Sequence, residues 1–205
     1  MKERYSLPQK RSVAREAAIL LYTSQEKEYK QAKLRAAKTL GVKVLPRNAQ
    51  IEYELDIIAD EMEGSTRKET LFQMRSEALG IMKTLKDFHP QLIGSVWRGT
   101  ARKSSDIDIV TFSSNHEAVI VRLQKGNFEI AAAEWRSAPK LTRQERSFHI
   151  YLILSSGNQA EVVVRSLDRR NEKEKCEIYG DLLTGLNRRQ LERVLAEDPL
   201  KKFVP

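Results

Sequence analysis

The 205-residue chain predicts an α+β fold: a helical N-terminal region, then a mixed β-sheet flanked by helices. Three observations carry this. Apolar residues recur at steps of three and four from about residue 12 to residue 88, the period of helices with one buried face. The pattern changes beyond Pro90, where short β-prone segments rich in Ile and Val alternate with Gly-, Ser- and Asn-rich turns. One more capped helical segment then closes the chain.

Taken in order, residues 12–40 read as helix in two pieces, with Thr23 and Glu26 at capping-box spacing and Gly41 as the stop. Pro46 turns the chain. Asn48 caps a helix with Ile51, Leu55, Ile58 and Met62 on one face, interrupted at Gly64-Ser65. Thr66 and Glu69 open a second capping box, followed by the stripe Leu71, Met74, Ala78, Ile81, Leu85 and Phe88. Residues 91–95 and 106–112 read as strands. Asn115 caps a short helix closed by Gly126. Residues 128–135 and 148–154 are two further strands, the sequence 155–158 is a hairpin turn, and 161–166 returns as a strand. Asn187 and Gln190 cap the last helix, which Pro199 ends. The expected division is 1–64, a basic helical region; 66–170, a catalytic domain; and 171–205, a C-terminal helical extension.

Composition removes several classes. Cys176 is the single cysteine, so no disulfide forms within the chain, and a reducing compartment is expected. Residues 1–10 are charged, without the apolar core of a signal peptide. No apolar run approaches the roughly 18 residues of a membrane span. A cytoplasmic protein without a membrane partner is the expectation. The net charge is +8, and residues 1–47 account for all of it, with 12 Lys/Arg against four Asp/Glu. The rest of the chain holds 24 of each. A basic segment of this kind attracts phosphate backbones, and equally serves as a solvated helix face.

Residues 92–110 hold the chemistry. A small apolar strand ends in Gly94-Ser95, ten residues intervene, and Asp106-Ile107-Asp108-Ile109 follows. On a strand, residues two apart share a face, so Asp106 and Asp108 project together. Paired carboxylates repel unless a cation sits between them, and hard oxygen donors suit Mg²⁺. Glycine lets the backbone approach a ligand closely, and N–H groups at a helix start hold phosphate oxygens. Arg98, Arg102 and Lys103 lie between the two motifs. Arg98 is the favoured phosphate partner, because it sits one turn from Ser95 if a helix starts there. A third carboxylate is required to place and deprotonate an attacking hydroxyl. Glu161, just after the hairpin turn, fits best by order; Glu129 and Glu134 compete. His89, His116 and His149 are not at metal-ligand spacing, and His149 reads as structural. Trp97 and Trp135 can stack on a base or pack in a core. No Walker A motif and no nucleophile elbow is present.

Gly94-Ser95, Arg98-Gly99, Ser105-Asp106-Ile107-Asp108-Ile109 and Glu161-Val162-Val163-Val164 resemble the DNA polymerase beta-like nucleotidyltransferase superfamily, nearest in pattern to its minimal and archaeal members. The likeness covers about residues 68–167. It implies a nucleotidyltransferase-type sheet. It implies that Gly94 and Ser95, with Arg98 and Ser105, hold the nucleotide. Asp106 and Asp108 would bind two Mg²⁺, with Glu161 completing the site. The chain departs at Glu161, where many members carry Asp, one methylene shorter. The implied activity is Mg²⁺-dependent transfer of a nucleoside monophosphate from an NTP to a hydroxyl, with release of pyrophosphate. The acceptor expected first is RNA, held by the basic N-terminal helices. A partner protein's hydroxyl, as in toxin–antitoxin pairs, comes second, and a small-molecule antibiotic third. The rival reading is a non-catalytic RNA-binding protein with a vestigial site.

Overall fold

The computed structural model describes the backbone of residues 7–140 and 143–205, and the side chains of 7–137 and 146–205. The first six residues of the charged stretch 1–10 lie outside the described residues. The chain divides into two compact units, one running to Arg67 and including Lys175–Asp181, the other comprising Lys68–Glu174 and Leu182–Val204. Residues 171–205, set apart in the sequence reading, are thus shared between the two. No helix among the described residues is long and apolar enough to cross a membrane.

The first unit is helical. It holds α1 (Leu7–Tyr22), α2 (Tyr29–Thr39) and the start of α3 (Asn48–Thr84). Its core is small-residue packing: Val13, Ala14, Ala17 and Ala18 of α1 meet Ala32 and Ala36 of α2 and Ile51 and Leu55 of α3. The expected capping box at Thr23 does not form. Thr23 follows the end of α1 instead, its hydroxyl donating to the Ile19 carbonyl at 2.8 Å, and Glu28, which precedes α2, makes no side-chain cap. The break expected at Gly64 is present, with φ 57° and ψ −134° inside α3. Arg67, beyond that kink, is buried and reaches back to the Asp56 carbonyl and to the Asp56 and Asp60 carboxylates at 2.6–2.9 Å.

The second unit is built on a six-stranded sheet in the order β3-β4-β5-β2-β1-β6. Its strands are β1 (Gln91–Ile93), β2 (Ile107–Phe112), β3 (Glu129–Lys140), β4 (Arg143–Ile153), β5 (Gln159–Arg165) and β6 (Leu186–Asn187). Among the described residues, only β2 and β5 pair in parallel; the other neighbours are antiparallel. β3 and β4 run longer than expected, because the two continue pairing as far as Lys140 and Arg143. Ile107, Ile109, Val162, Val164, Ile150 and Leu152 face a core with Met74 and Ile81 of α3, Leu85 just after it, Val119 and Leu123 of α5 (His116–Lys125), and Leu191 of α6 (Arg188–Glu197). Alternation sends the residues between them to the other face. Two of the expected caps are present here: Asn115 accepts from Ala118 N, and Asn187 and Gln190 make a reciprocal capping box.

The strand expected at 91–95 stops at Ile93, and residues Gly94–Arg98 form a single helical turn, α4. Arg75, on α3, holds this turn from below. It is fully buried, and its guanidinium donates to four carbonyls: Val96 at 3.1 Å, Trp97 at 3.0 Å, Pro199 at 2.6 Å and Lys201 at 2.8 Å. Burial pulls its pKa down to about 10, against an opposing pull from Asp198. Gly99 closes α4 at φ 76°, where a Cβ would lie 2.8 Å from the Lys201 carbonyl and 3.2 Å from Arg75 Nη2. Arg75→Leu leaves four carbonyls without their donor. It is expected to cost at least about 3 kcal/mol in urea unfolding. A loss below about 1 kcal/mol would contradict the clamp.

Candidate active site

The polar face of the sheet gathers the acidic residues picked out from the sequence. Register places Asp108 opposite Glu161 on the parallel neighbour β5, and opposite Ile93 on β1. Asp106 sits immediately before β2, two residues from Asp108 and on its side. Asp106, Asp108 and Glu161 are close enough for their charges to interact. Burial first, then the charges of Glu161 and Asp106, push the Asp108 carboxyl up to about 7. Desolvation and then Glu161 raise the more exposed Asp106 in the same direction.

Gly94 makes room for this arrangement. It has φ 70°, and a Cβ at that position would fall 2.0 Å from Asp108 Oδ2 and 2.9 Å from Asp108 Cγ. The Asp108 carboxylate therefore occupies the space a side chain would fill, beside the first turn of α4. Ser95 is half-buried in that turn, and its carbonyl accepts from the Gly99 and Thr100 amides.

Two sequence expectations acquire a different setting. Arg98, expected at the nucleotide phosphates, is buried; its Nη1 donates to the Phe203 carbonyl at 2.7 Å and its guanidinium lies 4.0 Å from the Trp97 ring centroid. With its backbone carbonyl accepting from Phe203 N at 2.9 Å, it ties α4 to the C-terminal segment. Trp97 likewise belongs to the core. Ser105 accepts from Arg102 N at 3.1 Å through its hydroxyl, shaping the turn that delivers Asp106. Arg102 Nε in this loop is buried without a hydrogen-bond partner among the described residues.

Three residues meet around Glu161 that the sequence did not place at the site: Ser147, Tyr151 and His149, the last expected to be structural. Glu161 Oε1 lies 2.7 Å from His149 Nδ1, and His149 Nε2 lies 2.7 Å from Ser147 Oγ. Tyr151 pairs with Glu161 across β4 and β5. Its hydroxyl is shielded and makes no well-formed hydrogen bond among the described residues; burial and then Glu161 push the phenol up to about 12. A cavity of about 110 Å³ opens here, between Asp106, Tyr151, Gln159 and Glu161 on the polar side and Ala131 and Ile153 on the apolar side. Counting strand positions back from the hairpin turn at 155–158 would have brought Tyr151 level with Glu161 and His149 onto the same face.

Among the described residues, no group of three or more His, Cys, Asp and Glu side chains is arranged to hold a metal ion by itself. The Asp106–Asp108 pair nonetheless has the chemistry of a hard-cation site. Both donors are oxygens, Asp108 is pushed toward protonation by burial and then by like charge, and Mg²⁺ commonly takes only one or two protein carboxylates alongside water and substrate phosphates.

The family model for a nucleotidyltransferase domain matches residues 75–179, slightly more than half of the chain. No curated protein sequence matches. Among solved structures, a cytoplasmic RNA terminal U-transferase aligns at 18% identity and TM-score 0.33, over 57% of this chain and 34% of that one. The Cid1 poly(U) polymerase in complex with the UTP analogue UMPNPP aligns at 17% identity and TM-score 0.33, over 58% and 37%. The chain spans about a third of the length of these structures. On the family match, which spans Gly94-Ser95, Asp106, Asp108 and Glu161 together, this chain belongs to the nucleotidyltransferase domain family.

Proposed function

We propose that the chain transfers a nucleoside monophosphate from a Mg²⁺-bound NTP to a hydroxyl of RNA, at the site formed by Gly94-Ser95, Asp106, Asp108 and Glu161. The observation that carries this reading is the crowding of Asp108 by Glu161 and Asp106 beside a glycine that cannot bear a side chain. Such a cluster is poorly balanced without a cation. Asp106 and Asp108 would hold the Mg²⁺, which when bound neutralises phosphate charge. The amides at the start of α4 orient the triphosphate. Glu161 takes the proton of the acceptor hydroxyl. The acceptor oxygen then bonds to the α-phosphorus as the bond from that phosphorus to the bridging oxygen breaks, and pyrophosphate leaves. Of the residues between the motifs, Arg98 is engaged by the Phe203 carbonyl, so the phosphate role passes from it to Arg102.

RNA is favoured as acceptor by the basic first quarter of the chain. Lys30, Lys38, Lys43 and Arg47 are exposed on α2 and the segment after it. Incubation with each α-³²P-labelled NTP, Mg²⁺, total RNA and total protein tests this. Label is expected in RNA, and Asp106→Asn is expected to lower it by about 100-fold or more with the fold intact. Label in protein would move the acceptor to a partner's hydroxyl, and undiminished transfer by the variant would sink the assignment.

A further inference from the structure

Ser147, His149 and Tyr151 alternate along β4 and share the face that carries Glu161. Glu161 is longer than an aspartate by one rotatable bond, so its carboxylate has more freedom to lose when it is placed. His149 restricts that freedom. An ionised carboxylate only accepts hydrogen bonds, so Nδ1 bears the proton and donates to Glu161 Oε1 over 2.7 Å. In the neutral ring Nε2 then accepts from the Ser147 hydroxyl over 2.7 Å. The ring is thereby held at both nitrogens. His149 and Glu161 side chains are 14% and 23% exposed, which shields their contact from competing water. Oε2 remains as the carboxylate's second acceptor.

We infer that His149, anchored by Ser147, is a positioning residue that fixes the Glu161 carboxylate through Oε1 and presents it to the Asp106–Asp108 pair in one orientation. The inference rests on the reading of Glu161 as the third carboxylate of the site. Partners that orient a ligating group commonly contribute 10–100-fold to metal affinity or activity, roughly the effect expected here.

The test is a double-mutant cycle on the full chain, read by Mn²⁺ binding in electron paramagnetic resonance and by kcat and KM for the NTP. His149→Leu is expected to weaken Mn²⁺ binding and lower kcat, each by about 10–100-fold, with KM for the NTP unchanged. His149→Asn keeps an N–H near the Nδ1 position and should restore most of both. Glu161→Asp draws the carboxylate back from His149, so in that background His149→Leu should add nothing. A merely structural role would give additive losses and no rescue by Asn. Wild-type Mn²⁺ affinity in His149→Leu, equal impairment of the Leu and Asn variants, or additivity with Glu161→Asp overturns the inference. Absence of transfer by the wild-type chain would defeat the proposed activity, while the Mn²⁺ cycle would still decide the role of His149. A wild-type chain that binds no Mn²⁺ overturns both.

Discussion

Gly94→Ala is expected to lower nucleotidyl transfer by about 100-fold and to destabilise the fold by about 1–3 kcal/mol. Two separate effects combine. At φ 70° an alanine is strained wherever it sits, and here its Cβ would also lie 2.0 Å from Asp108 Oδ2. The Asp108 carboxylate is the softest neighbour and must swing away, leaving the position from which it is proposed to hold Mg²⁺. Gly157 separates the two effects. It has φ 88° and nothing within 4 Å of its would-be Cβ, so Gly157→Ala carries comparable backbone strain without touching Asp108. The comparison is kcat/KM for both variants alongside their urea midpoints. Loss of activity confined to Gly94→Ala supports the cradle, whereas near-normal turnover in that variant would mean that Asp108 does not need its observed position.

The contrast between Gly94 and Arg98 explains what the sequence could and could not disclose. Gly94, Asp106 and Asp108 were legible because their meaning is local: a backbone that needs glycine, and a two-residue period that sets both carboxylates on one face. Arg98 was read from its spacing to Ser95, yet its guanidinium binds a carbonyl 105 residues away. Nothing in the neighbourhood of residue 98 encodes that partner. Arg75 was silent for the same reason. An arginine beside Met74 in a helical stripe looks like a solvated edge, and its acceptors lie 21 to 126 residues further along the chain. The two buried arginines together fasten α4 to the C-terminal segment, so the turn beginning at Gly94 is held by contacts that no motif describes. His149 stands between these cases. The hairpin turn at 155–158 sets the register of β4 against β5, and the alternation of β4 then sets the face of His149, but nothing local to residue 149 says that its ring meets Glu161, so it reads as one more strand histidine.

Asp108→Asn is expected to abolish most transfer, by roughly 100- to 1000-fold, and at the same time to make the metal-free protein more stable at neutral and alkaline pH. The sign follows from the folded-state pKa of about 7, raised above the ordinary 3.8 by burial, Glu161 and Asp106. Between those two values the folded state binds the proton that the unfolded state has released. The contribution of Asp108 to stability therefore declines as pH rises from about 4 to about 7, and levels off above, where both states are ionised. Asparagine carries no such charge and escapes the decline. In EDTA, the melting temperature of the variant should equal that of the wild type near pH 4, rise above it through pH 7, and hold a constant lead beyond, corresponding to a few kcal/mol at most. Mg²⁺ supplies the missing counter-charge only where Asp108 is ionised, so its addition should raise the wild-type melting temperature more at pH 8 than at pH 6 and leave the variant nearly unchanged. A lead that is the same at pH 4 and pH 8 would show that Asp108 is not held against its charge. A variant equally stabilised by Mg²⁺ would place the ion elsewhere than on the Asp106–Asp108 pair. The stability sacrificed at residue 108 is on this account the measure of how strongly the fold holds its carboxylates together before substrate arrives.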